Sequence, residues 1–190
     1  MIYAFEAYFE SLRGKKIVVL GLGVSNRPLV RLLLEFGCDV TGCDKNPREK
    51  LEEEVLELER MGCKLSVGEG YLDNLEADLV FRTPGMHPGN PAIVALREKG
   101  AEITSEMEVF FEVCPCTKIA ITGSDGKTTT TTLVAEMLKA AGHTVWLGGN
   151  IGTPKNYGRQ IFIKRRKINR NCSWFKYYFK TSYCNFRFIS

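Results

Sequence analysis

The chain has 190 residues, enough for one large domain or two small ones, and an ordinary 44% hydrophobic content with no apolar run long enough to span a membrane. Glu6 and Glu10 without a basic leader exclude a signal-peptide reading of the N-terminus, and an odd count of seven cysteines predicts reduced thiols and a cytoplasmic setting rather than a disulfide framework. The net charge of +4 is uneven: residues 155–190 hold ten Lys/Arg, no Asp or Glu and ten of the twenty aromatics, which leaves a net −6 on residues 1–154.

Residues 15–44 read as a β-α-β unit. A compact apolar strand at 16–20 leads into the turn Gly21-Leu22-Gly23-Val24-Ser25-Asn26. A helix over 28–36 follows, with Leu29, Leu32, Leu33 and Phe36 on one face and Gly37 as its stop. A second strand covers 39–42, and Asp44 sits just past its end. This is the layout of a dinucleotide-binding unit, with an acid about twenty positions after the turn. The third glycine of that fingerprint is replaced by Asn26, so two ligands stay open: a nicotinamide dinucleotide, or another nucleotide at the carboxyl edge of the strands.

Asn46-Pro47-Arg48-Glu49 has the form of a helix start, and a helix is expected from there to Met61, with Gly62 as its stop. Strands are expected at 63–67 and 77–81. The loop Thr83-Pro84-Gly85-Met86-His87-Pro88-Gly89 then faces the same crevice as the glycine turn. His87, between Pro and Gly neighbours, is left without a role. Asn90-Pro91 starts a helix to about Lys99, and 102–104 is a short strand. Ser105-Glu106-Met107-Glu108 is a capping box for a helix ending near Cys114-Pro115. Cys114-Pro115-Cys116 lacks metal-ligand spacing, and no metal is expected there.

Ile119-Ala120-Ile121-Thr122 is a buried-type strand that runs into Gly123-Ser124-Asp125-Gly126-Lys127-Thr128-Thr129 and a helix to Ala141. Strand, glycine-bracketed turn and helix N-terminus make a phosphate cradle. Lys127 would lie over the outer phosphates, and the Thr128 hydroxyl would reach magnesium. Five threonines at 128–132 cost a helix on the order of 2–3 kcal/mol against Ala, so some of the hydroxyls are expected to be used. Two residues rather than four separate Gly123 from Gly126, so the loop is shorter than the common P-loop. A strand at 144–147 and a second glycine loop, Gly148-Gly149-Asn150-Ile151-Gly152, complete another β-α-β unit.

The ordered set GLGVS, CDKNP, RTPGM, ITGSDGKTTTTTL and GGNIGTP resembles the N-terminal portion of the Mur ligases over residues 13–154, most closely the members that add D-glutamate. The short G-x-x-G-K-[ST] loop is the specific piece. The resemblance implies an α/β fold: a Rossmann-like UDP-sugar domain over 1–104, then the start of a P-loop ATPase domain over 105–154. It implies ATP and Mg2+, with UDP-N-acetylmuramoyl-L-alanine and D-glutamate as partners, in a cytoplasmic monomer of peptidoglycan precursor synthesis. ATP would phosphorylate the substrate carboxylate, and the amine of D-glutamate would displace the phosphate to form the amide. Matched residue by residue, Val24, Ser25, Asp44, Lys45, Asn46, Gly85 and Asn150 fall at UDP-sugar positions. Gly123, Ser124, Asp125, Gly126, Lys127, Thr128 and Thr129 fall at the ATP, with Lys127 catalytic and Thr128 on the metal.

The resemblance is expected to stop after Pro154. Three readings of residues 155–190 follow: out-of-frame translation, a basic-aromatic nucleic-acid-binding segment, or an interaction tail. The first fits the absence of acids and the richness in Lys, Asn, Ile, Phe and Tyr, and it makes the chain an incomplete, inactive ligase. Nucleic acid and membrane are not expected as partners.

Overall fold

The structure is a computed structural model that describes residues 3–24, 26–83, 85–114, 117–122, 124–148 and 159–163. The chain divides into two compact units, one of Tyr3–Val113 and one from Cys114 onward.

The first unit is a five-stranded sheet of β1 (Lys16–Leu20), β2 (Asp39–Asp44), β3 (Lys64–Val67), β4 (Leu79–Phe81) and β5 (Glu102–Thr104). Its order is β3-β2-β1-β4-β5, and every neighbouring pair is parallel. Ile17 on the central strand stands between Val40 and Leu79. A strand with parallel neighbours on both edges and helices on both faces has no solvent side, and residues 17–20 are all apolar and buried. The chain lays down β1, β2 and β3 in one direction, then crosses back to place β4 beside β1. The order therefore reverses between β1 and β4, and the crevice for a ligand lies outside their carboxyl ends.

Five helices accompany this sheet: α1 (Tyr3–Ser11), α2 (Asn26–Glu35), α3 (Glu53–Arg60), α4 (Pro91–Glu98) and α5 (Glu106–Val113). Leu29, Val30, Leu32 and Leu33 form the buried face of α2. On α4, Asn90 caps the N-terminus by accepting from Ala92 N at 2.9 Å. Ile93 and Leu96 of α4 close a core with Val18, Leu20, Cys43, Val80 and Ala101. At the N-terminus, which carries no helix expectation, Phe5 and Phe9 are buried, with the Phe9 ring 5.4 Å from that of Phe36.

One expectation is corrected. The helix expected from Asn46 to Met61 is a 3-10 turn at Arg48–Lys50 followed by α3, because Leu51 is extended (φ −75, ψ 142) and breaks the run. On α5, Val109, Phe110 and Val113 are buried within the first unit. Its capping box forms: Ser105 Oγ donates to Glu108 Oε2 at 2.8 Å and accepts from Glu108 N at 3.3 Å.

The second unit contains β6 (Thr117–Ile121), α6 (Lys127–Ala140), β7 (Val145–Gly148) and β8 (Arg159–Ile163). The expected strand–helix–strand order is present, but β6 and β7 do not pair. Between them runs β8, antiparallel to both. Beneath α6, Ala135 and Val145 are buried with Ile119, Ile121, Val134 and Leu138 packed against them. Apart from the 159–163 strand, the tail lies outside the described residues.

Candidate functional site

The glycine turn leaves β1 at the point where the strand order reverses. Gly21 N donates to Cys43 O at 2.7 Å, which carries the sheet pairing one step past β1. Leu22 N then donates to Asp44 Oδ2 at 3.0 Å, and Arg27 Nε donates to Leu22 O at 2.9 Å. Two Glu side chains of the α3 N-terminal region, Glu52 and Glu54, hold the Arg27 guanidinium from the other side. The Glu52 hydrogen bond raises the Arg27 pKa and holds the Glu52 carboxyl below its usual range.

Asn26 explains the missing third glycine. It is buried, and its Nδ2 donates to Gly21 O at 2.8 Å and to Leu20 O at 3.3 Å. In a dinucleotide fingerprint that position is a glycine so that helix and strand approach closely. Here a carboxamide fills the space and satisfies two strand-end carbonyls.

With those bonds made, the amides of Gly23 and Val24 have no hydrogen-bond partner among the described residues, and Val24 is exposed. Two adjacent free N–H groups at a helix N-terminus suit a diphosphate. The loop after β4 borders the turn: a Cβ on Gly21 would lie 3.4 Å from Thr83 Cβ. Gly85 in that loop is exposed, with open space around it. His87 is exposed too, and its Nδ1 accepts from Gly89 N at 3.0 Å, a local bond within the loop. After β2, Asp44 Oδ1 accepts from Asn46 N at 2.9 Å, and Lys45 and Asn46 are exposed. Val24, Asp44, Lys45, Asn46 and Gly85 thus all lie at the carboxyl edge of one sheet. Ser25 lies outside the described residues.

The second cradle is the start of α6. Gly126 is its N-cap with φ 71, a left-handed conformation that a side chain would strain, and no side chain caps the helix. Thr128 N and Thr129 N have no acceptor among the described residues, so the positive end of the helix is open to an anion. Lys127 Nζ donates to Ser124 O at 2.8 Å across the loop. The threonine row divides: Thr131 is buried and its hydroxyl donates to Lys127 O at 2.6 Å, whereas Thr128 and Thr129 are exposed. Ser124 and Asp125 are exposed in the loop. Gly123 and Asn150 lie outside the described residues. No cluster of three or more His, Cys, Asp or Glu placed for a metal occurs among the described residues. No helix among them is long and apolar enough to cross a membrane.

The contributions that sequence reasoning missed are those of Asn26 and Arg27. In the local pattern Asn26 is only a lost glycine, and nothing there shows that its carboxamide reaches back to residues 20 and 21. Arg27 acts through a partner 25 positions away, which no spacing rule links to it.

Residues 15–105 match the family model for the Mur ligase MurD-like N-terminal domain, and residues 121–172 match that for the Mur ligase middle domain. The second match continues past Pro154, where the resemblance was expected to stop. A UDP-N-acetylmuramoylalanine--D-glutamate ligase of Acetivibrio thermocellus is 53% identical over 146 residues, which are 76% of this chain and 31% of that protein. The ligase of the same name from Clostridium botulinum strain Hall is 53% identical over 151 residues, 79% of this chain and 33% of that protein. Among solved structures, a UDP-N-acetylmuramate-alanine ligase from Thermotoga maritima is 30% identical with a TM-score of 0.45, over 67% of this chain and 30% of that one. The chain spans about a third of the length of the curated relatives it matches. It belongs to the Mur ligase family.

Proposed function

We propose that this chain is the UDP-sugar-binding and ATP-binding portion of a cytoplasmic, monomeric ligase that adds D-glutamate to UDP-N-acetylmuramoyl-L-alanine in peptidoglycan precursor synthesis. One observation carries the reading: a single chain holds two separate anion cradles, the turn at the β1/β4 switch point and the uncapped N-terminus of α6. Relatives named for that ligase at 53% identity over both segments support it.

In the first cradle, the amides of Gly23 and Val24 would hold the diphosphate, and residues 44–46 with Gly85 would flank the nucleoside and sugar. In the second, the residues from Ser124 to Thr129, with Gly123, would wrap the phosphate chain of ATP. Lys127 would leave Ser124 O for the outer phosphates and neutralise charge as the phosphoryl group moves. The exposed Thr128 hydroxyl would hold one position on a magnesium ion. That ion would supply charge neutralisation on the transferring phosphate. Asn150, outside the described residues, is proposed as a further contact of the UDP-sugar.

The test is calorimetric titration of the full chain with UDP-N-acetylmuramoyl-L-alanine and, separately, with MgATP. Lys127→Ala should weaken MgATP binding at least about tenfold, the loss expected for removing one charge-assisted phosphate contact, and leave the UDP-sugar affinity unchanged. Equal loss of both ligands, or of neither, would contradict the assignment of two cradles.

A further inference from the structure

The two amides proposed to hold the diphosphate belong to the peptide units on either side of Gly23. A peptide unit is planar and trans, so its N–H points opposite to the carbonyl of the same unit. Whatever binds the carbonyl therefore aims the amide. Gly23 O, in the unit that ends at Val24 N, accepts from Asn26 N at 3.0 Å and from Arg27 N at 3.3 Å, both main-chain donors. Leu22 O, in the unit that ends at Gly23 N, accepts from a side chain instead: Arg27 Nε at 2.9 Å. The Leu22 side chain is buried and its N–H is bound by Asp44. Gly23 is exposed, and a Cβ on it would meet nothing within 4 Å. Packing thus holds the Leu22 end of this peptide plane and leaves the Gly23 end to the bond from Arg27.

Arg27 is itself held in one plane. Its side chain is only 14% exposed. Glu52 takes the far end of the guanidinium as a fork, Oε1 on Nη2 at 2.8 Å and Oε2 on Nη1 at 3.0 Å, and Glu54 takes Nη1 as well. Because the guanidinium is planar, a fork bound at its far end also fixes the direction of Nε–H. We propose that Arg27 is a positioning residue that aims the Gly23 amide at the diphosphate, with Glu52 and Glu54 at the start of α3 holding its plane. One cation between two carboxylates carries no net positive charge, so what this cluster offers an anion is direction. Lysine would keep the charge of Arg27 and lose the fork. The clamp rests on the geometry alone; its consequence for binding rests on the proposed UDP-sugar reading.

The test is NMR on the isotope-labelled full chain, as wild type and as Arg27→Lys. Without ligand, the wild-type Arg27 Nε proton should show scalar coupling across its hydrogen bond to the Leu22 carbonyl carbon. It should also exchange at least about tenfold more slowly than the Nε proton of Arg13, whose side chain is 64% exposed. Absence of the coupling together with equal exchange at Arg27 and Arg13 would overturn the proposal, whether or not the variant folds. UDP is then added. In the wild type the Gly23 and Val24 amide protons should both move downfield. In Arg27→Lys the Val24 shift should persist, because main-chain donors aim that amide, and the Gly23 shift should be lost. UDP affinity should fall by about tenfold while uridine, which has no phosphate, binds as before. Protected Val18 and Val19 amides of β1 show that the variant is folded. General damage to the turn would take both shifts, so loss of both in the folded variant would overturn the proposal, as would retention of both. Failure of the wild type to bind UDP, with the coupling to Leu22 present, would refute the UDP-sugar reading and uphold the clamp.

Discussion

Gly42→Ala should damage both the fold and the turn. The added Cβ would stand 2.8 Å from Leu22 Cδ2, 3.1 Å from Leu22 Cδ1 and 3.2 Å from Cys63 Sγ. A clash with the end of a side chain is cheap only where that end has room to move. Leu22 is 1% exposed and Cys63 2%, so neither has it. Gly42 also sits mid-sheet, with Val19 on one side and Leu65 on the other, so the backbone has little freedom to retreat. Overpacking of this kind costs about 1–3 kcal/mol. With a urea m-value of about 1–3 kcal/mol/M, the unfolding midpoint of the first unit should fall by roughly 1 M. Both tryptophans, Trp146 and Trp174, fall outside residues Tyr3–Val113, so the transition is best followed by hydrogen exchange of β1 amides across the urea series. Leu22 carries the turn with it, so UDP affinity should drop by about tenfold under native conditions, the equivalent of one lost phosphate contact. A midpoint within about 0.2 M of wild type, on the same m-value scale, would show that Leu22 moves freely and refute this packing argument.

Gly23→Ala makes the opposite pattern: nothing lies within 4 Å of its added Cβ, so stability should hold, while UDP affinity should fall if the proposed diphosphate approaches the turn there; unchanged affinity by calorimetry would place the ligand elsewhere. Burial pushes the thiols of Cys43 to about 12 and Cys63 to about 11, against an ordinary value of 9.0. Both should resist alkylation by iodoacetamide at pH 8 in the folded protein and react in urea. Because the folded values are raised, their contribution to stability is complete below about pH 9 and is lost as pH rises through 11 to 12, so urea midpoints should decline on that alkaline limb.

The parallel sheet was legible because its strands are short apolar runs punctuated by glycine, and the stops of α2 and α3 fell on glycines with positive φ, Gly37 and Gly62. The turn and the phosphate loop were legible because each combines a strand end, glycines and a helix start within ten residues. What escaped was long-range. The first helix was readable in principle, since Phe5, Phe9 and Leu12 recur at helical spacing, and all three are buried. The break at Leu51 opposed a clean Asn-Pro helix signal and won because the chain needs an extended step before Glu52 reaches Arg27. The pairing of β8 between β6 and β7 has no local signature, because nothing in residues 159–163 states its partners or its direction. Asp44 was found by its spacing from the turn, but its two backbone partners were not, since hydrogen bonds from side chain to distant amide depend on a register that only the folded sheet supplies.

The switch-point turn is proposed to take a UDP-sugar and not a nicotinamide dinucleotide. Calorimetric titration of the full chain with UDP-N-acetylmuramoyl-L-alanine, repeated in the presence of excess NAD, decides between them. One UDP-sugar should bind per chain, with an affinity unchanged by NAD and abolished or strongly weakened by Gly23→Ala. Competition by NAD, or UDP-sugar binding indifferent to Gly23→Ala, would contradict it.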